Sequence, residues 1–169
     1  MGDVFKEQIV KRKQTSIDTA KRAGLIILVI LSFFVSFILV PGIAPIVTLI
    51  VGFGAFYLNG FLKVEYEYVF TNGELDIDAI YNRARRKRVF SSHVNRFEIM
   101  AHVEDMTHAG SFGNAQEVRN YSSGAIGENT YAFLINYNSK QTKVIIEPNE
   151  KMMDAIKGSI ARSKLHLKK

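Results

Sequence analysis

The sequence predicts an α+β chain: an N-terminal transmembrane helical hairpin, then a small antiparallel β-rich domain closed by a C-terminal amphipathic helix. Three observations predict it. Residues 23–62 contain no Lys, Arg, Asp or Glu and are dense in Leu, Ile, Val and Phe. From residue 63 onward the apolar residues alternate with period two between turn signals, as they do in strands. After Pro148 the spacing becomes helical, with Met152, Met153, Ile156 and Ile160 on one face.

Residues 1–22 form a basic lead-in with Lys6, Lys11, Arg12, Lys13, Lys21 and Arg22. They read as a cytoplasmic or interfacial helix with a weak apolar stripe through Phe5 and Ile9 and no independent fold. Lys6 occupies the position where an N-myristoylation signal needs Ser or Thr.

The uncharged stretch breaks once, at Pro41-Gly42-Ile43-Ala44-Pro45. Two runs remain, residues 23–40 and 46–62, with a loop at 41–45. A helix crossing the hydrocarbon core needs about 20 apolar residues, within a range of roughly 17–25. Each run is short but sufficient, and two prolines exclude a single long span. A cleaved signal peptide does not fit, because a second apolar run follows and no small-x-small site stands after Val40. Thr48, Gly52, Ala55 and Asn59 share one face of the second helix. Ser32 and Ser36 lie one turn apart on the first. These faces are expected to meet, with hydroxyls available to bond across the helices.

Basic residues flank both runs, whereas the loop between them is uncharged. The positive-inside rule then places a multi-pass protein in the cell membrane with both termini in the cytoplasm. The absence of cysteine agrees with that compartment.

Residues 63–169 suffice for one modest core. Val64-Glu65-Tyr66-Glu67-Tyr68-Val69-Phe70 reads as a strand, and Thr71-Asn72-Gly73-Glu74 as a tight turn, since Asn and Gly accept positive φ. Leu75-Asp76-Ile77-Asp78-Ala79-Ile80-Tyr81 is the returning strand. A second turn over residues 82–85 leads to Lys87-Arg88-Val89-Phe90, and residues 97–103 make a fourth strand. Residues 105–129, rich in Gly, Ser and Asn, read as a long insertion with a weak strand signal near residues 116–121. A last hairpin turns about Asn138-Ser139-Lys140 and joins residues 131–137 to 142–147. The total is six or seven antiparallel strands. Asn149 is the expected N-cap of the closing helix, with Glu150 and Asp154 toward its positive end. Lys164, Lys168 and Lys169 crowd its other end.

This order resembles the pleckstrin-homology-like fold, and in particular bacterial membrane proteins that carry such a domain after a short helical hairpin. The resemblance rests on Tyr66-Glu67-Tyr68-Val69-Phe70-Thr71-Asn72-Gly73-Glu74-Leu75-Asp76-Ile77, followed by a basic turn and Val89-Phe90. Val94 stands where that family often has isoleucine, and the 105–129 insertion departs from its usual pattern. The chain looks most like an uncharacterised two-span family, which implies no activity.

Two constellations are candidates for function. Arg83, Arg85, Arg86, Lys87 and Arg88 place five positive charges in six residues. Beside the cytoplasmic leaflet, each Lys or Arg gains about 1 kcal/mol from anionic lipid. The same charges also serve topology and blunt an edge strand. The run lacks interleaved aromatics, and no recognition helix is present, so nucleic acid is not expected. His102, Glu104, Asp105 and His108 form the second group, but no established metal spacing is matched, and a polar loop is the better reading. His93 reads as a strand-turn residue. No Cys nucleophile, Gly-x-Ser-x-Gly elbow or phosphate-cradling glycine loop is present. The expectation is a non-enzymatic membrane-anchored interaction module without cofactor. Its partners would be the bilayer, anionic headgroups, a peptide, or a membrane or cytoplasmic protein. An accessory subunit of a membrane complex is the alternative, and a metal-dependent enzyme comes after it.

Overall fold

The computed structural model describes residues 4–166. Lys168 and Lys169, expected near the last helix, lie outside the described residues, as does Gly2. The chain divides into two compact units. One is β-rich and discontinuous, running up to Lys13, then Glu65–Ile80, then from Arg86 on. The other comprises Gln14–Val64 and Tyr81–Arg85.

The first element corrects the expected lead-in helix. Phe5–Lys11 is a strand, β1. It pairs antiparallel with β2 (Val64–Thr71), from Phe5 opposite Thr71 to Lys11 opposite Glu65. Lys, Glu and Gln favour helix locally, but the free edge of β2 supplies backbone partners that a solvated helix would lack. Val10 enters the core, while Phe5 and Ile9, the residues of the supposed stripe, stay exposed. Gln8 adds a side-chain clamp: its Nε2 donates to the Glu147 carbonyl at 2.9 Å, and its Oε1 accepts from the Asn149 amide at 2.7 Å. The contiguous domain expected from residue 63 therefore lacks one of its strands.

Helix α1 runs from Ser16 to Leu39. It opens with a reciprocal cap: the Thr15 hydroxyl accepts from the Asp18 amide, and the Asp18 carboxylate accepts from the Thr15 amide at 3.0 Å. A 3₁₀ turn at Pro41–Ile43 leads into α2 (Ala44–Gly60). Ser16–Leu39 and Pro41–Gly60 are both long and apolar enough to cross a membrane. Most of their large apolar side chains are exposed, Phe53 to 73%. The half-buried positions are Arg22, Leu25, Val29, Ser32 and Ser36 on α1, and Val47, Thr48, Val51, Gly52, Ala55, Asn59 and Gly60 on α2. They include the faces expected to meet. Their hydroxyls do not bond across the helices, however. Ser32 donates to Val29 O, Ser36 to Ser32 O and Thr48 to Ala44 O, at 2.6–2.9 Å. A hydroxyl one turn from a carbonyl finds its acceptor on its own helix first.

In the β-rich unit, β1 and β2 continue into β3 (Glu74–Tyr81) and β4 (Arg85–His93), giving a four-stranded sheet in chain order. The turn between β2 and β3 has Asn72 at φ 49° and Gly73 at φ 94°. A Cβ on Gly73 would stand 2.6 Å from the His93 ring, so glycine is needed there for space as well as conformation. The second sheet has the order β6-β8-β7-β5-β9. Its strands are β5 (Ile99–His102), β6 (Glu117–Asn120), β7 (Tyr131–Tyr137), β8 (Lys140–Ile146) and β9 (Leu165–His166). Two of its pairings are parallel, β6 with β8 and β5 with β9, where antiparallel strands alone were expected.

The 105–129 insertion holds the short helix α3 (Ala109–Gly113) and, where a weak strand signal was expected, β6; residues 121–123 just after it are buried. Tyr121 is buried, its hydroxyl donates to Val89 O at 3.1 Å, and its own carbonyl accepts from the buried Tyr68 hydroxyl at 2.6 Å. Burial drives the Tyr68 pKa strongly upward, which keeps that donor protonated.

Helix α4 (Glu150–Ser159) begins at Asn149, whose Oδ1 accepts from the Met152 amide at 2.9 Å. Met152, Met153, Ile156 and Ile160 pack into one core with Phe70, Ile77, Phe90 and Phe133. Each large apolar side chain buried this way contributes about 1.5–3 kcal/mol. Lys164, past the helix, donates to Asn95 O at 2.8 Å.

Candidate functional site

The basic run begins in a tight turn. Asn82 and Arg83 both adopt positive φ, 50° and 56°, and the Ala84 amide closes the turn on Tyr81 O at 3.0 Å. From Arg85 on the chain is β4, so alternate residues face opposite ways. That parity divides the five cations.

Arg86 and Arg88 cover an acidic surface of the sheet. Arg86 Nη2 lies 2.8 Å from both carboxylate oxygens of Glu67. Arg88 Nη1 lies 2.6 Å from Asp76, and its Nε donates to Asp78. The carboxylates are the buried partners: Glu67 and Asp78 side chains are 4% and 7% exposed, against 58% and 51% for the two arginines. Burial raises the Glu67 pKa above the ordinary 4.5, against the pull of Arg86; a hydrogen bond that the protonated Glu67 donates to Glu7, and the charges of Glu7 and Asp78, raise it further. The hydrogen bond to Asp78, with Asp76 beside it, holds Arg88 more firmly protonated. These two arginines therefore neutralise the sheet.

Arg85 has a different setting. It belongs with the helices, and its guanidinium lies 5.2 Å from the Tyr57 ring centre and 5.6 Å from that of Phe61. Tyr57 and Phe61 meet edge to face at 5.2 Å, and Tyr81 lies 6.0 Å beyond Phe61. A guanidinium near two aromatic rings gains a cation–π attraction there. Lys87 and Arg83 are exposed.

The acidic surface had a legible signal. Glu67 stands on β2 and Asp76 and Asp78 alternate on β3, and the turn brings Arg86 and Arg88 back against them. The basic run alone hid that match.

His102 is buried and engaged at both ring nitrogens. Nε2 lies 3.0 Å from Gly127 O, and Nδ1 accepts from the Glu104 amide at 3.2 Å. Asp105 Oδ1 caps the Thr107 amide at 3.0 Å. The His108 side chain lies outside what is described. Among the described residues, no three His, Cys, Asp or Glu groups stand together to hold a metal ion. His93 Nδ1 accepts from the Asn95 amide at 3.2 Å and caps a 3₁₀ turn.

A second polar pair lies on the hairpin itself and was missed as a pair. Arg22 of α1 gives its Nη1 to Gln14 at 2.7 Å. Its Nε and Nη2, and the Oδ1 of Asn59 on α2, are buried without a hydrogen-bond partner among the described residues. All three atoms belong to residues lining one hollow of about 220 Å³.

A family model described as a bacterial PH-like domain (DUF6106) matches residues 2–165. No curated protein and no solved structure matches the chain.

Proposed function

Because the chain belongs to the bacterial PH-like family DUF6106, we propose that it is a membrane-anchored, non-enzymatic interaction module working at the cytoplasmic face. One observation supports this most: β1 and β2, the strands on either side of the helical hairpin, pair residue for residue. A chain that leaves a sheet and re-enters it on the adjacent strand returns to the side of the bilayer it left. Lys11, Arg12, Lys13, Lys21 and Arg22 precede the hairpin, Lys63 follows it, and the loop is uncharged. The positive-inside rule makes that side the cytoplasm.

Within the basic run, contact with anionic headgroups or an acidic partner surface falls to Lys87 and Arg85. Arg86 and Arg88 hold the sheet. Each contributing cation adds about 1 kcal/mol of attraction at an anionic leaflet.

Two measurements on the full chain test this reading. Fluorescent-protein and alkaline-phosphatase reporters at the C-terminus and in the 41–45 loop should report cytoplasm and exterior respectively; an external C-terminus overturns the topology. A photo-crosslinking residue at position 87 should capture lipid or one discrete protein. Capture no greater than from an exposed control position, Glu128, overturns the contact surface.

A further inference from the structure

Arg22 and Asn59 are unsatisfied in a way that describes a ligand. A guanidinium presents two donors, Nε and Nη2, along one edge, in the geometry that matches two oxygens of a phosphate. In Arg22 that edge is the unpaired one, and Gln14 holds the other side of the group. Burying charged donors without acceptors costs more than leaving a neutral group unpaired. Asn59 Oδ1, facing the same hollow from α2, is an acceptor without a donor. The rest of the wall is apolar, with Leu25 and Val29 from α1 and Ala55 and Phe56 from α2. Both polar groups stand where the hairpin joins its charged flanks, the level of lipid phosphates once the helices span a bilayer.

We propose that this hollow seats one phospholipid whose headgroup carries a hydrogen-bond donor beside its phosphate. The phosphate oxygens accept from Arg22 Nε and Nη2. The neighbouring ammonium or hydroxyl donates to Asn59 Oδ1, and an acyl chain follows the apolar wall. Ethanolamine and glycerol headgroups meet both demands. Choline has the same phosphate, but its methylated nitrogen has no N–H to give. The proposal rests on the hairpin spanning the membrane and is independent of the basic turn.

Native mass spectrometry of the full chain from detergent micelles tests it, with dioleoyl phosphatidylethanolamine, phosphatidylglycerol or phosphatidylcholine added. The expected result is one retained ethanolamine or glycerol lipid, at least tenfold favoured over choline. Arg22→Gln should abolish retention. Arg22→Lys, which keeps the charge and loses the fork, should lower it severalfold. Asn59→Ala should bring the choline lipid level with the others. Lys87→Ser should change nothing. Equal retention of all three lipids by the unaltered chain, no retention at all, or unchanged retention in both Arg22 variants overturns the site. Loss in Lys87→Ser with none in Arg22→Gln also overturns it, and leaves the reading of the basic turn standing.

Discussion

Arg88 and Arg22 show two ways of placing a cation. Arg88 sits half exposed over the half-buried Asp76 and the nearly buried Asp78 of β3. Arg22 sits half buried between two helices, and the edge of its guanidinium meets no acceptor among the described residues. The first cation is consumed by its own fold, and the second is left for something outside it. Counting positive charge along the chain ranks the two the wrong way round, since the basic run is denser around Arg88.

The largest effect that would break this contrast is on stability. Arg88→Ala strands two carboxylates, one nearly buried, and should lower the unfolding free energy of the full chain in micelles by about 2–3 kcal/mol, below the usual cost of breaking a fully buried pair because Arg88 is half exposed. Urea titration followed by circular dichroism reads it; a change under 0.5 kcal/mol would show that the arginine serves a ligand after all.

Gln8→Ala removes two hydrogen bonds to the backbone at the start of α4 and should cost about 1–2 kcal/mol in the same titration. No loss would detach β1 from the stable sheet.

Glu67 gives a smaller effect, visible in its pH dependence. Its folded pKa lies above 4.5, so the protonated form is favoured by folding. That contribution is fully present below about pH 4.5 and is lost as pH rises through the folded value. Glu67→Gln should flatten stability against pH on that side; an unchanged slope would place the titration elsewhere.

The smallest stability change belongs to Arg22→Gln, within about 1 kcal/mol, because losing the Gln14 bond is offset by removing two unpaired buried donors. A loss as large as that of Arg88→Ala would erase the contrast.

What was legible in the sequence was local. The Asn72-Gly73 turn, the Asn149 cap and the face of Met152, Met153, Ile156 and Ile160 each depend on residues a few positions apart. The same holds for the apolar hairpin and its half-buried faces. The strand at Phe5–Lys11 was not legible, because its partner lies beyond both helices and its own composition favours helix. Thr15-Ser16-Ile17-Asp18 carried a readable capping pattern that an assumed continuous lead-in helix concealed. The weak strand signal near residues 116–121 marked β6, but nothing local announced its parallel pairing with β8 or the burial of Tyr121. The Arg22–Asn59 hollow exists only once the hairpin has closed, so neither residue signals it alone.

The pairing of β1 with β2 also sets an order of events during synthesis. β1 is made early, yet its neighbour does not exist until both apolar helices have left the ribosome. Closing so long an intervening segment is entropically slow, and the pairing is far from local. Synthesis of both apolar helices therefore precedes completion of the four-stranded sheet. A nick in the Pro41–Ile43 turn would leave two fragments still joined through seven paired residues. The two apolar helices are inserted between paired strands and cannot be trimmed away without opening the sheet.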